Sequence, residues 1–266
     1  MVNISESAYP NYLTYNGNSA NFEFFTSSGT VLPAWIESNT SGKLVTWVKL
    51  PNGIPAKSSI TIYLGFASTS SNLLLLSGTS GIGEAPQLPC GSTATSSCST
   101  YAEYDDGASV FSFYSDFKGN TLNTNKWNAI VTGDGCATYS VNNALTISQT
   151  PTSGCAIVSK NKQTSSIIES LILSGQNTNL GTAVGFAVGL GSDGSDNEGY
   201  WWDNGFGSTY VGRIVVVTPT SGWAVASVSY TFPEDVIIGG AWPITGNEIF
   251  YVNYAQLTSS SDTTIS

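Results

Sequence analysis

Apolar and polar residues alternate with a period of two along most of this chain, and Gly, Ser and Asn interrupt the alternation at short intervals. In the segment 44–50, LVTWVKL, the even-numbered residues face one way in an extended chain and the odd-numbered residues face the other. A half-buried strand produces this period, because successive side chains of a strand point to opposite faces of the sheet. The pattern predicts an all-β protein of many short antiparallel strands, arranged as a sandwich or jelly roll, with no helix longer than a turn or two.

The same alternation gives the positions of the strands. In the first third of the chain it predicts strands at 21–25, 32–37, 44–50 and 59–66. From residue 109 onward it predicts strands at 110–117, 137–141, 144–148, 156–160, 167–173, 182–190, 199–202, 210–217, 224–230, 236–239 and 248–257. Asn142 and Asn143 are expected to form a hairpin turn, since Asn tolerates a positive φ. The Ser-, Gly- and Pro-rich segment 67–99 is expected to be an irregular linker that carries the first pair of cysteines.

The charge content excludes several functions. Charged residues make up only 10% of the chain, the net charge is −10, and there is no His and a single Arg, Arg213. Without His, neither a His-based catalytic triad nor a His-ligated metal site can form. A negative, Arg-poor surface repels phosphate backbones, so no nucleic-acid partner is expected. A chain with few titratable groups is suited to secretion, including secretion into an acidic environment. The alternative is that this composition arose by drift and says nothing about the environment of the protein.

The four cysteines fall into two local pairs. Sequential pairing predicts disulfides between Cys90 and Cys98 and between Cys136 and Cys155, each closing a short loop. Because disulfides persist in oxidising compartments, this pairing favours an extracellular or cell-surface location. The alternative is four reduced thiols in a cytosolic protein.

Three further sequence features bear on location. The sequons at Asn3 (NIS) and Asn39 (NTS) are candidate glycosylation sites, although such triplets also arise by chance in a chain this rich in Asn, Ser and Thr. No apolar stretch approaches the roughly 20 residues of a membrane-spanning helix, so no membrane span is expected. The start of the chain lacks the charged and apolar regions of a signal peptide, so an exported protein would be present here as a mature fragment.

The segment 116–127, DFKGNTLNTNKW, combines an acid, an aromatic residue, a Gly/Asn turn, a Leu and a Trp. This order of residues is typical of a turn that leads into the first buried strand of a β-sandwich. It resembles the D-F-x-G-x-x-L-(D/N)-x-x-K-W stretch of concanavalin-like jelly rolls, which occur in lectin-type modules and in endo-glucanases. The resemblance implies a fold that mostly handles carbohydrate.

A second resemblance covers about residues 21–70. The stretches FEFFTSSGTVLPAWIES and VTWVKLPNGIPAKSSITIYLGFAS are similar to a small β-module, the domain of unknown function 2341. In archaeal and bacterial surface proteins this module commonly precedes a concanavalin-like domain, and the segment 83–117 resembles the connector of archaeal members. The resemblances together imply a small β-module at 1–80, a disulfide-bearing connector at 81–108 and a jelly roll at 109–266.

Carboxylates provide the candidates for catalysis. Concanavalin-fold glucanases carry alternate carboxylates on one strand as nucleophile and acid. Glu103, Asp105 and Asp106 resemble that arrangement superficially, but the third carboxylate is missing and the segment precedes the Trp127 motif instead of following it. Asp196 and Glu198 would also share a face if extended. Solvated loop acids are the simpler interpretation, no other nucleophile or cofactor motif is present, and we expect no enzymatic activity.

The loop 191–199, GSDGSDNEG, offers several oxygen ligands turned by glycines. Asp193, Asp196 and Glu198 are candidate ligands for a structural Ca²⁺, which prefers oxygen donors. An exposed acidic hairpin tip explains the same pattern without a metal. No other cofactor is expected.

A cluster of aromatic and polar residues follows this loop. Alternation predicts that one of Trp201 and Trp202 lies in the core and the other faces outward. An outward Trp can stack on the apolar face of a sugar while an acid and an amide bind its hydroxyls. The candidate carbohydrate-binding residues are Tyr200, Trp201, Trp202, Asp203, Asn204 and Tyr210. The alternative is that both indoles pack in the core or under a loop.

These observations favour a non-catalytic extracellular or cell-surface module for glycan recognition or adhesion. A structural subunit of a surface layer, filament or fibre is the alternative, with neighbouring subunits as its partners, and a concanavalin-fold glycoside hydrolase comes third. Related N-terminal modules carry an extra strand before the point at which this chain starts. Either residues 2–7 supply that strand within the chain, which the sequence favours, or an unpaired edge at 21–25 or 59–66 accepts a strand from a neighbouring subunit.

Overall fold

A computed structural model describes residues 1–74, 81–90, 98–132, 138–148, 154–160, 167–172, 185–188, 200–203, 213–217, 224–229, 236–241 and 248–260. The all-β prediction is confirmed, since strands in several sheets make up most of the regular structure. The chain forms two compact units, Met1–Thr121 with Val141–Ala144, and Leu122–Ser140 with Leu145–Ser266. No helix in the described ranges is long and apolar enough to cross a membrane.

The first unit contains two sheets. Its elements are β1 (Val2–Ser5), β2 (Phe22–Phe25), β3 (Val31–Leu32), β4 (Ala34–Thr40), β5 (Lys43–Val48), β6 (Tyr63–Phe66), β7 (Ile82–Glu84) and a single-turn helix, α1 (Gly107–Val110). One sheet has the order β1-β5-β4-β7 and the other β3-β2-β6. All neighbouring strands are antiparallel except β7, which runs parallel to β4.

Alternating apolar residues of both sheets build the core of the first unit. Phe22 and Phe24 are buried on β2, with their rings edge to face at 6.2 Å, and Ile36 and Leu44 are fully buried on β4 and β5. Ile82 of β7 completes this cluster. The hydrophobic effect, which favours removal of these side chains from water, therefore holds the two sheets of the unit together.

The first unit departs from the sequence prediction at several points. Pro33 divides the strand predicted at 32–37 into β3 and β4, because proline has no N–H for the ladder. The strand predicted at 110–117 is wrong: α1 ends at Val110 and the following residues form no strand. β7 lies in the segment expected to be a linker. β1 pairs with β5 in the same chain, so the N-terminal residues do supply a strand, although to the other sheet than expected.

The second unit consists of short strands. They are β8 (Trp127–Thr132), β9 (Thr138–Val141), β10 (Leu145–Ser148), β11 (Gly154–Ser159), β12 (Ile167–Ile172), β13 (Gly185–Val188), β14 (Tyr200–Asp203), β15 (Arg213–Val217), β16 (Ala224–Ser229), β17 (Val236–Ala241), β18 (Glu248–Val252) and β19 (Ala255–Ser260). The sheet orders are β10-β9, β11-β8, β12-β17-β18-β19 and β13-β14-β15-β16. Ile238 and Phe250 are fully buried on β17 and β18.

Turn residues define the hairpins of this part of the chain. Asn143, between β9 and β10, has a φ of 53°, as the predicted Asn turn requires. The single strand predicted at 248–257 is instead the hairpin β18–β19. Asn253 and Tyr254 turn the chain there with φ values of 46° and 65°. Asn253 accepts a hydrogen bond on its side chain from the backbone N–H of Ile237, which fixes this turn against β17.

Candidate functional site

A buried carboxylate, Asp105, lies at the centre of a hydrogen-bonded cluster in the first unit. Its Oδ1 accepts hydrogen bonds from Trp35 Nε1 at 2.9 Å, from the Tyr114 hydroxyl at 2.9 Å and from the Gly107 N–H at 3.0 Å. Only 6% of the Asp105 surface is exposed. One carboxylate oxygen therefore connects strand β4, the start of α1 and the segment after α1.

Aromatic rings surround this carboxylate. Phe111 lies edge to face with Trp35 at 5.3 Å and with Trp47 at 5.5 Å, and it stacks on Tyr114 at 5.9 Å. Trp47 Nε1 donates to Glu37 Oε2 at 2.7 Å. Each indole N–H thus has an acidic partner, which offsets the cost of burying it. The 111–114 segment, predicted to be a strand, instead covers the outer face of β4 and β5 with its aromatic side chains.

Burial raises the pKa values of Asp105 and of its neighbour Asp106. It raises the pKa of Asp105 to about 6, against the lowering effect of the Gly107, Trp35 and Tyr114 hydrogen bonds. Burial also raises the pKa of Asp106, whose Oδ1 accepts a 2.5 Å hydrogen bond from the Ser109 hydroxyl. Asp106 Oδ2 is buried and has no partner among the described residues. Both groups are therefore held in environments that disfavour the ionised form.

A third buried acid, Glu84, ends strand β7. It has 0% exposed surface, and its Oε2 accepts a 2.7 Å hydrogen bond from the Tyr15 hydroxyl. Burial raises its pKa to about 8, the Tyr15 hydrogen bond lowers it in part, and the charge of Glu103 raises it further. Nothing in the sequence marks Glu84 or Tyr15 as a pair, because they are 69 residues apart.

This cluster does not form the carboxylate pair of a glucanase. Residues 101–106 lie in turns and not in a strand, so Glu103 and Asp105 do not alternate along one sheet face. Asp105 and Asp106 are both buried, and Asp105 already accepts three hydrogen bonds. Within the described ranges, no group of three or more Cys, Asp or Glu side chains could hold a metal ion. The arrangement is suited to fastening residues 101–117 to the sheet.

Strand β14 places four of the candidate carbohydrate-binding residues next to one another in an inner strand of its sheet. Trp201 is opposite Ala187 of β13 and Val217 of β15, whereas Trp202 is opposite Phe186 and Val216. The two Trp residues therefore belong to opposite faces. Asn204 and Tyr210 lie outside the described residues, as do Asp193, Asp196 and Glu198 of the predicted calcium loop.

The first unit also has exposed aromatic side chains that the sequence analysis did not single out. Tyr12 is 63% exposed, and its ring centroid lies 6.3 Å from that of Phe66. The Tyr9 ring lies 5.1 Å from the same Phe66 ring. Tyr63, on β6, is 52% exposed. The Tyr-rich stretch 9–15 is the sequence signal that could have indicated such a surface.

The disulfide and glycosylation predictions can be located in part. Cys90 and Cys98 form the predicted disulfide, with Cα atoms 5.7 Å apart. The Cys136–Cys155 prediction lies outside the described residues, because position 136 is not among them. Both sequon asparagines are exposed, Asn3 on β1 and Asn39 on β4, and Asn39 donates a 3.2 Å hydrogen bond to Glu6 Oε1.

Comparison with known proteins gives one relative of uncharacterised function. The chain is similar to uncharacterized protein 562 of Sulfolobus islandicus rod-shaped virus 1, with 39% identity over 93 residues. The match covers 34% of this chain and only 13% of the viral protein. No family model and no solved structure matches the chain. The resemblances to the domain of unknown function 2341 and to concanavalin-like jelly rolls therefore stay predictions.

Proposed function

We propose that this protein is a non-catalytic extracellular module that binds glycans through the β14 sheet. The observation that carries the proposal is the strand register of that sheet, because it divides the residues around β14 into two chemically different faces.

The two faces follow from the cross-strand pairs. One face is apolar throughout and includes Tyr200, Trp202, Phe186, Val188, Ile214, Val216, Ala226 and Val228. The opposite face mixes aromatic, charged, hydroxyl and small residues: Trp201, Asp203, Arg213, Gly185, Ala187, Val215, Val217, Ser227 and Ser229. A uniformly apolar face is the pattern of a sheet face that packs on a core, whereas a mixed face is the pattern of one that meets water.

The mixed face has the composition that sugar binding requires. Trp201 has Ala187 opposite on β13, and Asp203 has Gly185. We expect small cross-strand neighbours to favour the binding of a flat ligand on this face. An aromatic ring supplies the stacking surface for a sugar, and a carboxylate and a guanidinium two residue pairs apart supply an acceptor and a donor for its hydroxyls. We therefore assign Trp201, Asp203 and Arg213 to the binding face and Trp202 to the core.

An extracellular location is supported by the Cys90–Cys98 disulfide, since such bonds persist in oxidising compartments. The low charge content and the absence of His give a surface in which hydroxyl and amide groups predominate. These features suit a protein exposed to the environment outside a cell, and they are shared by an adhesive module and a structural one. Binding measurements separate these two functions.

The test is a glycan array probed with the full chain, followed by titration calorimetry on the best ligand. Trp201→Ala should weaken binding by about 5- to 150-fold, the equivalent of about 1–3 kcal/mol for an aromatic anchor, with little change in melting temperature. Tyr12→Ala removes an exposed aromatic ring from the first unit and is the matched control, expected to bind like the wild type. A wild-type chain that binds no glycan but assembles into regular filaments would replace this proposal with the structural one.

A further inference from the structure

We propose that Glu84 fastens three segments of the first unit together only while its carboxyl group is protonated, so that residues 101–106 and the Tyr15 loop are held in acid and loosened in alkali. This inference concerns a different part of the molecule from the proposed glycan site and does not depend on it.

The geometry places Glu84 where the three segments meet. Its backbone belongs to β7, which pairs with β4 at the edge of the sheet. Its Oε2 accepts the Tyr15 hydroxyl from the loop that precedes β2, and its backbone N–H donates to the carbonyl of Tyr104 at 3.0 Å. Gly83, the residue before it, lies so close to residues 104–106 that there is no room for a side chain. Water has no access to the carboxyl group, because Glu84 is fully buried.

The second oxygen of Glu84 is the reason for the pH dependence. Oε1 is buried and has no hydrogen-bond partner among the described residues. A neutral carboxyl group tolerates this position, whereas a carboxylate would leave negative charge on an oxygen with neither water nor a donor. For the carboxylate, a rearranged state in which water reaches the charge is then lower in free energy than the closed one. Reaching that state requires one of the three segments to move.

Among the charged and titratable neighbours that the structure describes, Glu103 raises the pKa of Glu84 and only the Tyr15 hydrogen bond lowers it. Tyr15 donates a hydrogen bond, and its own pKa is raised by burial and by the charges of Glu84 and Glu6, so it stays neutral. Glu103 adds negative charge, while Asp106 lies against Gly83. No lysine in the described ranges is among the groups that shift the pKa of Glu84. Lys49 donates to the Ser109 carbonyl and favours the ionised form of Asp106, and Lys118 donates to the Ala102 carbonyl.

The sign of the effect follows from proton linkage. The pKa of Glu84 rises from 4.5 to about 8 in the folded protein. Between these values the folded state holds a proton that the opened state releases, so the stabilisation is complete below pH 4.5 and is lost as the pH approaches about 8. Asp105 contributes in the same direction between 3.8 and about 6. Glu84 alone should therefore make opening more frequent by up to roughly tenfold per pH unit, and the effect of Asp105 adds to this where the two pH windows overlap.

Hydrogen exchange followed by mass spectrometry tests the inference on the full chain between pH 4 and pH 9, after correction for the intrinsic exchange rate. Peptides that cover residues 9–20 and 101–106 should lose protection as the pH rises. Glu84→Gln, which is neutral at every pH, should make their protection independent of pH above 6. Glu23→Gln, the same change on β2 at a residue that acts on neither Glu84 nor Tyr15, should keep the wild-type profile in these peptides. Wild-type protection that is equal at pH 4 and pH 8.5 would overturn the inference.

A second variant covers the case in which Glu84→Gln fails to fold. Tyr15→Phe removes the hydrogen bond that lowers the pKa of Glu84, so protection should go on falling to a higher pH than in the wild type. If protection in this variant stops falling at the same pH as in the wild type, another group controls the opening and the assignment to Glu84 is wrong.

Discussion

A methyl group added at Gly83 should disrupt the attachment of residues 101–106 to the sheet. An ideal Cβ at this position would lie 2.7 Å from Asp106 Cβ, 2.7 Å from the Tyr104 carbonyl oxygen and 2.9 Å from the Asp106 backbone nitrogen. Two of these atoms belong to the backbone, so the clash cannot be relieved by rotating a side chain. The segment must move by several tenths of an ångström.

The magnitude for Gly83→Ala combines three effects. Overpacking of a buried contact costs about 1–3 kcal/mol. Displacement of Tyr104 also weakens the hydrogen bond from the buried Glu84 N–H, at about 1 kcal/mol. The lower conformational entropy of Ala in the unfolded chain offsets about 0.4–1 kcal/mol of this loss in the free energy of unfolding. The net loss is about 1–3.5 kcal/mol, which for a unit of this size, at about 4 °C per kcal/mol, lowers the melting temperature by about 4–14 °C.

Differential scanning calorimetry of the full chain measures this loss, with Gly53→Ala as the matched control. Gly53 is exposed and a Cβ there meets nothing within 4 Å, so the control should melt within about 2 °C of the wild type. If Gly83→Ala melts together with the control, the close approach of residues 104–106 does not contribute to stability. The account of the Glu84 cluster would then lose its structural basis.

Two further predictions concern the first unit. Replacing Cys90 and Cys98 together by Ser should lower its free energy of unfolding in urea by about 2–3 kcal/mol, because the loop between them is short, and thiol labelling of the native wild type should find neither cysteine free. Phe22→Ala should cost about 3–5 kcal/mol, since Phe22 is fully buried in the core, whereas Tyr63→Ala on the neighbouring strand should cost less than about 1 kcal/mol; equal losses would contradict the assigned faces of this sheet.

Alternation predicted the strands whose neighbours lie close in sequence or whose apolar residues are regularly spaced. β2 and β5 appear within two residues of the predicted limits for that reason. β7 has only three residues and pairs in parallel with a strand more than 40 positions earlier, so no local pattern distinguishes it from a linker. The segment 110–117 alternates like a strand, yet Phe111 and Tyr114 stack on each other and cover Trp35.

The candidate sites, like the strands, were predictable from the sequence only in part. That Trp201 and Trp202 fall on opposite faces follows from the period of a strand alone, but which of them shares a face with small and polar residues depends on the register with β13 and β15. The burial of Glu84, Tyr15 and Asp105 could not be predicted, and the interpretation of Asp105 as a solvated loop acid is wrong, because a buried polar side chain has the same sequence signature as an exposed one. Only the tertiary structure determines which of the acids in such a chain lose contact with water.

The long separations within the first unit determine when it can fold during synthesis. Tyr15 and Glu84 are 69 residues apart, and Trp35 and Asp105 are 70 apart. Because Trp35 also packs against Phe111 and Tyr114, its surroundings are incomplete until Tyr114 has left the ribosomal exit tunnel. A nascent chain that ends near residue 80 would lack β7 and leave Trp35 and Trp47 uncovered. Folding of this unit should therefore occur late and in one step, and a pause in translation just before residue 115 would prolong exposure of its aromatic surface.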